Sequence, residues 1–120
     1  KRSFLSKITA FDDKELIVWH INIDEDNTPT VYEYIKNKKQ TKLKDIVFSE
    51  NYYTLNTIPL LIIKGDKQII EPSLDSIIEY DDLILFAGNE KVKNKMDWII
   101  NNAIIFEDNY ISYRDNKEKV

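Results

Sequence analysis

Apolar residues between Ile58 and Gly88 fall into three short runs separated by turn residues, IPLLIIKGDKQIIEPSLDSIIEYDDLILFAG, and that spacing predicts a compact β unit. Leu60-Leu61-Ile62-Ile63 is too short for a buried helix, and its aliphatic, β-branched content predicts a strand covered on both faces. Gly65-Asp66 stands between Lys64 and Lys67 as a two-residue hairpin loop. Glycine enters positive φ without a Cβ clash and Asp tolerates the second corner, so a primed turn is expected. Gln68-Ile69-Ile70 then returns antiparallel, and Pro72 ends the ladder because it has no N–H to donate. Leu83-Ile84-Leu85-Phe86 predicts a third strand, closed by Ala87-Gly88.

Upstream, Glu15 to Ile23 alternates at period two, with Ile17, Trp19, Ile21 and Ile23 on one face and Val18, His20 and Asn22 on the other. Asp24 to Thr30 reads as a polar loop. Val31 to Asn37 reads as a helix: Thr28 or Thr30 can cap it, Pro29 suits a first turn, and Val31, Tyr34 and Ile35 share a side. Leu43 and Ile46 predict a short helical turn after the basic connector Lys36 to Lys44, and Asn51 to Thr57 reads as a loop. Asn89 can cap a helix running to about Asn101, whose stripe is Val92, Met96, Ile99 and Ile100. Leu5 to Phe11 reads as a short strand or helix, Ala103 to Phe106 as a final strand, and the residues after Tyr113 as a charged, frayed end. The expected core is Ile17, Trp19, Ile21, Leu60, Ile62, Ile70, Ile84, Phe86, Val92, Met96 and Ile99.

The fold class that follows is α+β, a small and mostly antiparallel sheet of about four strands with two helices. With 120 residues the chain suits one ordinary domain, placed at 15–106, with 1–14 as the tail of a preceding element or linker and 107–120 as a charged tail. The start at Lys1 points to a piece of a longer protein, although a trimmed expression product would read the same.

Composition narrows the chemistry. A hydrophobic content of 42% supports a packed core. A net charge of -4, from 21 acidic and 17 basic residues, argues against a dedicated nucleic-acid binder. The absence of cysteine excludes disulfides and thiolate metal sites, and two glycines are too few for a glycine-rich phosphate cradle. No apolar run approaches the roughly 20 residues that span a bilayer, and no signal-peptide pattern opens the chain. The cytoplasm is the expected compartment.

The order of elements resembles the C-terminal regulatory domain of potassium uptake and channel proteins, the TrkA-C or RCK-C family, over roughly Glu15 to Asn101. Ile58 to Lys64 is similar to the family's central strand, Glu71-Pro72 to the segment after its hairpin, and Asp82-Leu83-Ile84-Leu85-Phe86-Ala87-Gly88 to its closing motif. Val18-Trp19-His20-Ile21 and Ile58-Pro59-Leu60-Leu61 resemble the version in the regulatory half of some bacterial potassium-channel proteins. The chain departs from the pattern at Asp81, where the family has Gly; Asp enters the left-handed region at modest cost, so the turn survives. The resemblance implies a cytoplasmic gating or sensing domain that pairs with a copy of itself, for a membrane pore or transporter subunit elsewhere in the polypeptide or complex. In some relatives a nucleotide-type effector binds between the copies. No effector contact is carried over to a residue here, and the other reading is a protein–protein assembly module without a small-molecule ligand.

Candidate residues for chemistry are few. His20, the only histidine, is either a ligand contact or pH-responsive group, or simply makes one hydrogen bond on a half-covered face. Asp24-Glu25-Asp26 gathers three carboxylates, yet Pro29 stands where a calcium loop needs Gly and no Glu falls at its twelfth position, so a solvated loop is the plainer reading. Lys36, Lys38, Lys39, Lys42 and Lys44, near Tyr32 and Tyr34, are either a solvated face or a contact for phosphates. Asp81 and Asp82 are adjacent acids, but they fall in a turn where Asp is common for conformational reasons. We therefore expect no enzyme, no catalytic residue, no metal site and no cofactor in this chain.

Overall fold

The computed structural model describes residues 16–37, 39–47, 56–102 and 106. In chain order its elements are β1 (Ile17–Asn22), α1 (Pro29–Lys36), α2 (Leu43–Val47), β2 (Ile58–Lys64), β3 (Lys67–Ile70), β4 (Leu83–Gly88) and α3 (Glu90–Asn101). The four strands form one sheet in the order β1-β4-β2-β3, antiparallel at every pair. This is the α+β sheet that the pattern predicts; α2 is the short turn expected around Leu43 and Ile46. The expectations for Leu5 to Phe11, for the first five residues of the loop from Asn51 and for the charged C-terminal end lie outside the described residues.

Local chemistry accounts for the joints. Gly65 has φ 59° and Asp66 keeps an ordinary φ, the primed-turn pattern in which only the first corner is positive. Asp81 takes φ 72°, the left-handed conformation anticipated for it in place of glycine. Glu71, at φ 47°, is a second left-handed residue that the sequence did not announce; its N–H bonds the Leu60 carbonyl at 3.0 Å, which ties the end of β3 to β2. Asn89 caps α3, its Oδ1 accepting the Val92 N–H at 2.8 Å. Pro29 opens α1, but Thr28 does not cap it. The Thr28 hydroxyl is turned back to the Asn22 carbonyl at 3.0 Å, clamping the loop between β1 and the helix.

The three described helices lie on one side of the sheet. Cross-strand partners share a face, so Trp19 with Phe86, Ile21 with Ile84 and Ile62 with Ile84 mark the covered side. There they join Val31, Leu43, Ile46, Met96 and Ile99 in one cluster, with Trp19 stacked on Phe86 at 5.8 Å between ring centroids. Phe106 and Tyr34 meet edge to face in the same core at 5.0 Å.

Several expectations need correction. Leu60, Leu61 and Ile63 are only half-buried, because β2 is covered on one face and not two. A β-bulge between Pro59 and Leu61 breaks the alternation, so Ile58 packs with Ala87 and Leu60 on the face opposite Ile62. Ile70, expected in the core, is 74% exposed, since it pairs with Leu61 on the uncovered side. Phe106, expected to end a strand, is helical and buried; its N–H bonds the Asn102 carbonyl at 2.9 Å. Ile17 and Val92 are half-buried at the margin of the core.

Candidate functional site

Of the adjacent acids Asp81 and Asp82, the second is spent on holding the fold. Asp82 is buried, and its Oδ2 accepts the Glu79 N–H at 2.8 Å and the Lys64 ammonium at 2.5 Å; Lys64 also reaches Glu79 Oε1 at 2.9 Å. Burial opposes the charge on Lys64, but hydrogen bonds and charge from Asp82 and Glu79 outweigh it and hold its pKa above the ordinary lysine value. Neighbouring Asp81 is exposed while Asp82 is buried, so the two acids do not share one environment. Their cluster locks the end of β2 to the turn that starts β4.

Asp24 folds its own loop, accepting the Asn27 and Asp26 backbone N–H groups on Oδ1 at 2.7 and 3.0 Å and the Asn27 amide on both oxygens at 2.9 Å. The Asn27 backbone bond, then its side-chain bond, holds the Asp24 carboxyl below the usual aspartate value. Among the described residues no group of three or more His, Asp or Glu side chains could hold a metal ion.

Of the basic stretch, Lys39, Lys42 and Lys44 are spent on separate partners. Lys44 is buried and paired with Asp75 at 2.9 Å, Lys42 is half-buried in a bridge to Ile77, and Lys39 lies 4.6 Å from the centre of the Tyr34 ring. Tyr32 turns to Tyr80, at 5.8 Å between centroids. Lys36 is exposed at the end of α1, and Lys38 lies outside the described residues.

What the fold leaves available is the other side of the sheet. Register places His20, Leu85, Leu61 and Ile70 in one row across it, and Asn22, Leu83, Ile63 and Gln68 in the next. Both rows have apolar residues in the middle strands and no buried member. Val18 stands beside them on β1, 59% exposed. In the row toward Gly88, Val18 is open at the edge, while Ile58 and Ala87 are buried and pack with Leu60 in a small separate cluster. An exposed apolar strip on a sheet whose opposite face carries the core is the usual mark of an interaction surface. His20 therefore sits at the rim of that strip, not in a converging site.

A second feature lies at the edge of β1. A cavity of about 140 Å³ opens there, lined on the sheet side by His20 and Asn22, on the loop side by Asn27 and Thr28, and on the α3 side by Asp97 and Asn101. Asp97 is paired with Lys93 at 2.9 Å, and its backbone carbonyl accepts the Asn101 amide at 2.8 Å. No sequence pattern signals this cavity, because its lining comes from three elements whose relation is set only by the packing of α3.

No protein-family model matches the chain, and no curated protein matches it by sequence.

Proposed function

We propose that this chain is a regulatory and pairing domain of a cation transport protein, of the type found at the C-terminal end of potassium uptake and channel proteins. The single observation that carries the reading is the open apolar strip of the sheet, with Ile70 and Val18 its most exposed members. A second copy of the chain covers that strip by sheet-on-sheet packing, the arrangement in which two inner faces share one apolar layer. Support comes also from the positions that resemble the family: the reversal at Gly65, the end of β3 ahead of Pro72, and the left-handed Asp81 before the closing strand. No described helix is long and apolar enough to cross a membrane, so the pore belongs to another part of the polypeptide or complex.

The mechanism is coupling. An effector that binds one arrangement of the pair better than another shifts the pore's open–closed balance by that difference in affinity. The alternative, an assembly module with no small-molecule ligand, uses the same surface and differs only in lacking the effector.

Sedimentation velocity over a concentration series tests the pairing. The chain should pass from monomer to dimer as concentration rises into the high-micromolar range, and Ile70→Lys should remain monomeric with its melting curve unchanged. A wild-type chain that stays monomeric at near-millimolar concentration overturns the reading. Titration with cyclic dinucleotides then separates the two versions: a raised melting temperature assigns a sensing role, and an unmoved one the plain assembly role.

A further inference from the structure

The outer edge of β1 is an unprotected strand edge. Ile23 spends both its backbone groups toward β4, donating to the Asp82 carbonyl at 2.9 Å and accepting from Asp81 at 2.8 Å. Antiparallel pairing alternates, so Ile21, Trp19 and Ile17 also face β4, while Val18, His20 and Asn22 turn their N–H and C=O groups outward. The Asn22 carbonyl is taken by the Thr28 hydroxyl, which agrees with that direction. Among the described residues the outward groups of Val18 and His20, and the Asn22 N–H, have no partner.

Soluble sheets guard such edges with lysine, proline, bulges or very short strands. The opposite edge follows the rule, since β3 has four residues and begins with Lys67. β1 does not: IVWHIN has six residues and neither lysine nor proline. The cavity beside His20 and Asn22 leaves space outside the edge, where a fifth strand would run about 4.8 Å from β1.

We propose that this edge binds an extended polypeptide segment bearing a lysine or arginine, which adds to the sheet as a fifth strand and seats that side chain in the cavity between Asp97 and the amides of Asn27 and Asn101. Charge complementarity selects the basic side chain. The loop at this end of β1 carries Asp24, Glu25 and Asp26, none of which has an ion-pair partner among the described residues, where Asp97 pairs with Lys93. Affinity comes from backbone pairing and selectivity from the acidic end, as in other strand-addition sites. A second copy fits less well, because antiparallel self-pairing about His20 would set two histidine side chains against each other and leave the carboxylates unanswered. The proposal does not depend on the pairing of the open sheet face.

Fluorescence anisotropy with a short labelled peptide of alternating valine and lysine tests it, with the valine–glutamate peptide of equal length beside it. The lysine peptide should bind at least tenfold tighter than the glutamate one. Val18→Pro removes an outward N–H without touching the bonds to β4, and should weaken binding tenfold or more; Asp97→Asn should narrow the difference between the peptides. If Val18→Pro does not fold, N-methylation of alternate peptide residues makes the same deletion on the ligand and should abolish binding. Ile70→Lys should bind the peptide as the wild type does, which separates this result from the fate of the sheet-face dimer. Equal binding of both peptides, undiminished binding of the N-methylated peptide, or a dimer that survives Ile70→Lys and is dissolved by adding Val18→Pro would each overturn the proposal, the last by giving the edge to a second copy.

Discussion

Asp82→Ala is the most informative single substitution, because one buried carboxylate holds a backbone N–H and an ammonium at once. Its side chain is 4% exposed, and that of its partner Lys64 is 20% exposed. Deleting the carboxylate leaves the Glu79 N–H without its acceptor and the Lys64 charge with only the exposed Glu79. A hydrogen bond to a charged group contributes about 1.5–3 kcal/mol. Breaking a fully buried ion pair costs about 3–5 kcal/mol. Lys64 is partly solvated and keeps one partner, which pulls the total down, and about 2–4 kcal/mol is the expected loss. In a domain of this size that corresponds to a fall in melting temperature on the order of 10 °C.

Urea unfolding followed by far-ultraviolet circular dichroism measures it, together with Asp82→Asn, which keeps an acceptor for the Glu79 N–H and should lose about half as much. A double-mutant cycle with Lys64→Met should show a coupling of roughly 1 kcal/mol or more. The pH dependence has a definite sign. Lys64 has a folded-state pKa above its unfolded value, so its contribution is complete below the ordinary lysine pKa and is lost as pH rises through the raised one. The wild type should therefore lose stability more steeply above about pH 10 than Lys64→Met does. If Asp82→Ala unfolds within about 0.5 kcal/mol of the wild type, the cluster is not what joins β2 to the turn before β4.

Other substitutions test single steps of the fold. Phe86→Ala removes a fully buried ring stacked on Trp19 and should cost about 3–5 kcal/mol in the same urea assay. Asp81→Val places a β-branched residue at φ 72° and should destabilise by about 1–3 kcal/mol, whereas Asp81→Gly should be neutral or slightly stabilising. Asn89→Ala deletes the cap on α3 and should lower stability by about 1 kcal/mol.

Much of the fold was legible because local signals agreed with one another. The period-two run in β1, the Gly65-Asp66 reversal, the Asn89 cap and the stripe of α3 each pointed to the same arrangement, and the sheet follows from joining them. Left-handed Asp81 was legible too, since the turn had to be made and Asp is one of the few residues that makes it. The misplaced residues of β2 and β3 have one physical cause. Periodicity reports alternation but not which faces of a sheet are covered, and an uninterrupted run such as Leu60 to Ile63 suits a strand buried twice or once. Only the position of the helices decides, and they all lie on one side, which leaves Leu61 and Ile70 together on the other.

The surfaces singled out here were illegible for a related reason: each is defined by parity between strands, not by residue type. The bulge at Pro59 to Leu61 turns Ile58 to the face opposite Ile62, and the sequence marks it only by a proline inside an apolar run. Likewise nothing in IVWHIN says that β1 has one neighbour; that follows from β4 lying between β1 and β2. Once the order is fixed, the direction of every backbone group on β1 follows from the two bonds of Ile23, and the exposed set becomes Val18, His20 and Asn22. His20 shows the difference most clearly. As a residue type it suggested chemistry, and as a position it is a place where the sheet ends and another strand can begin.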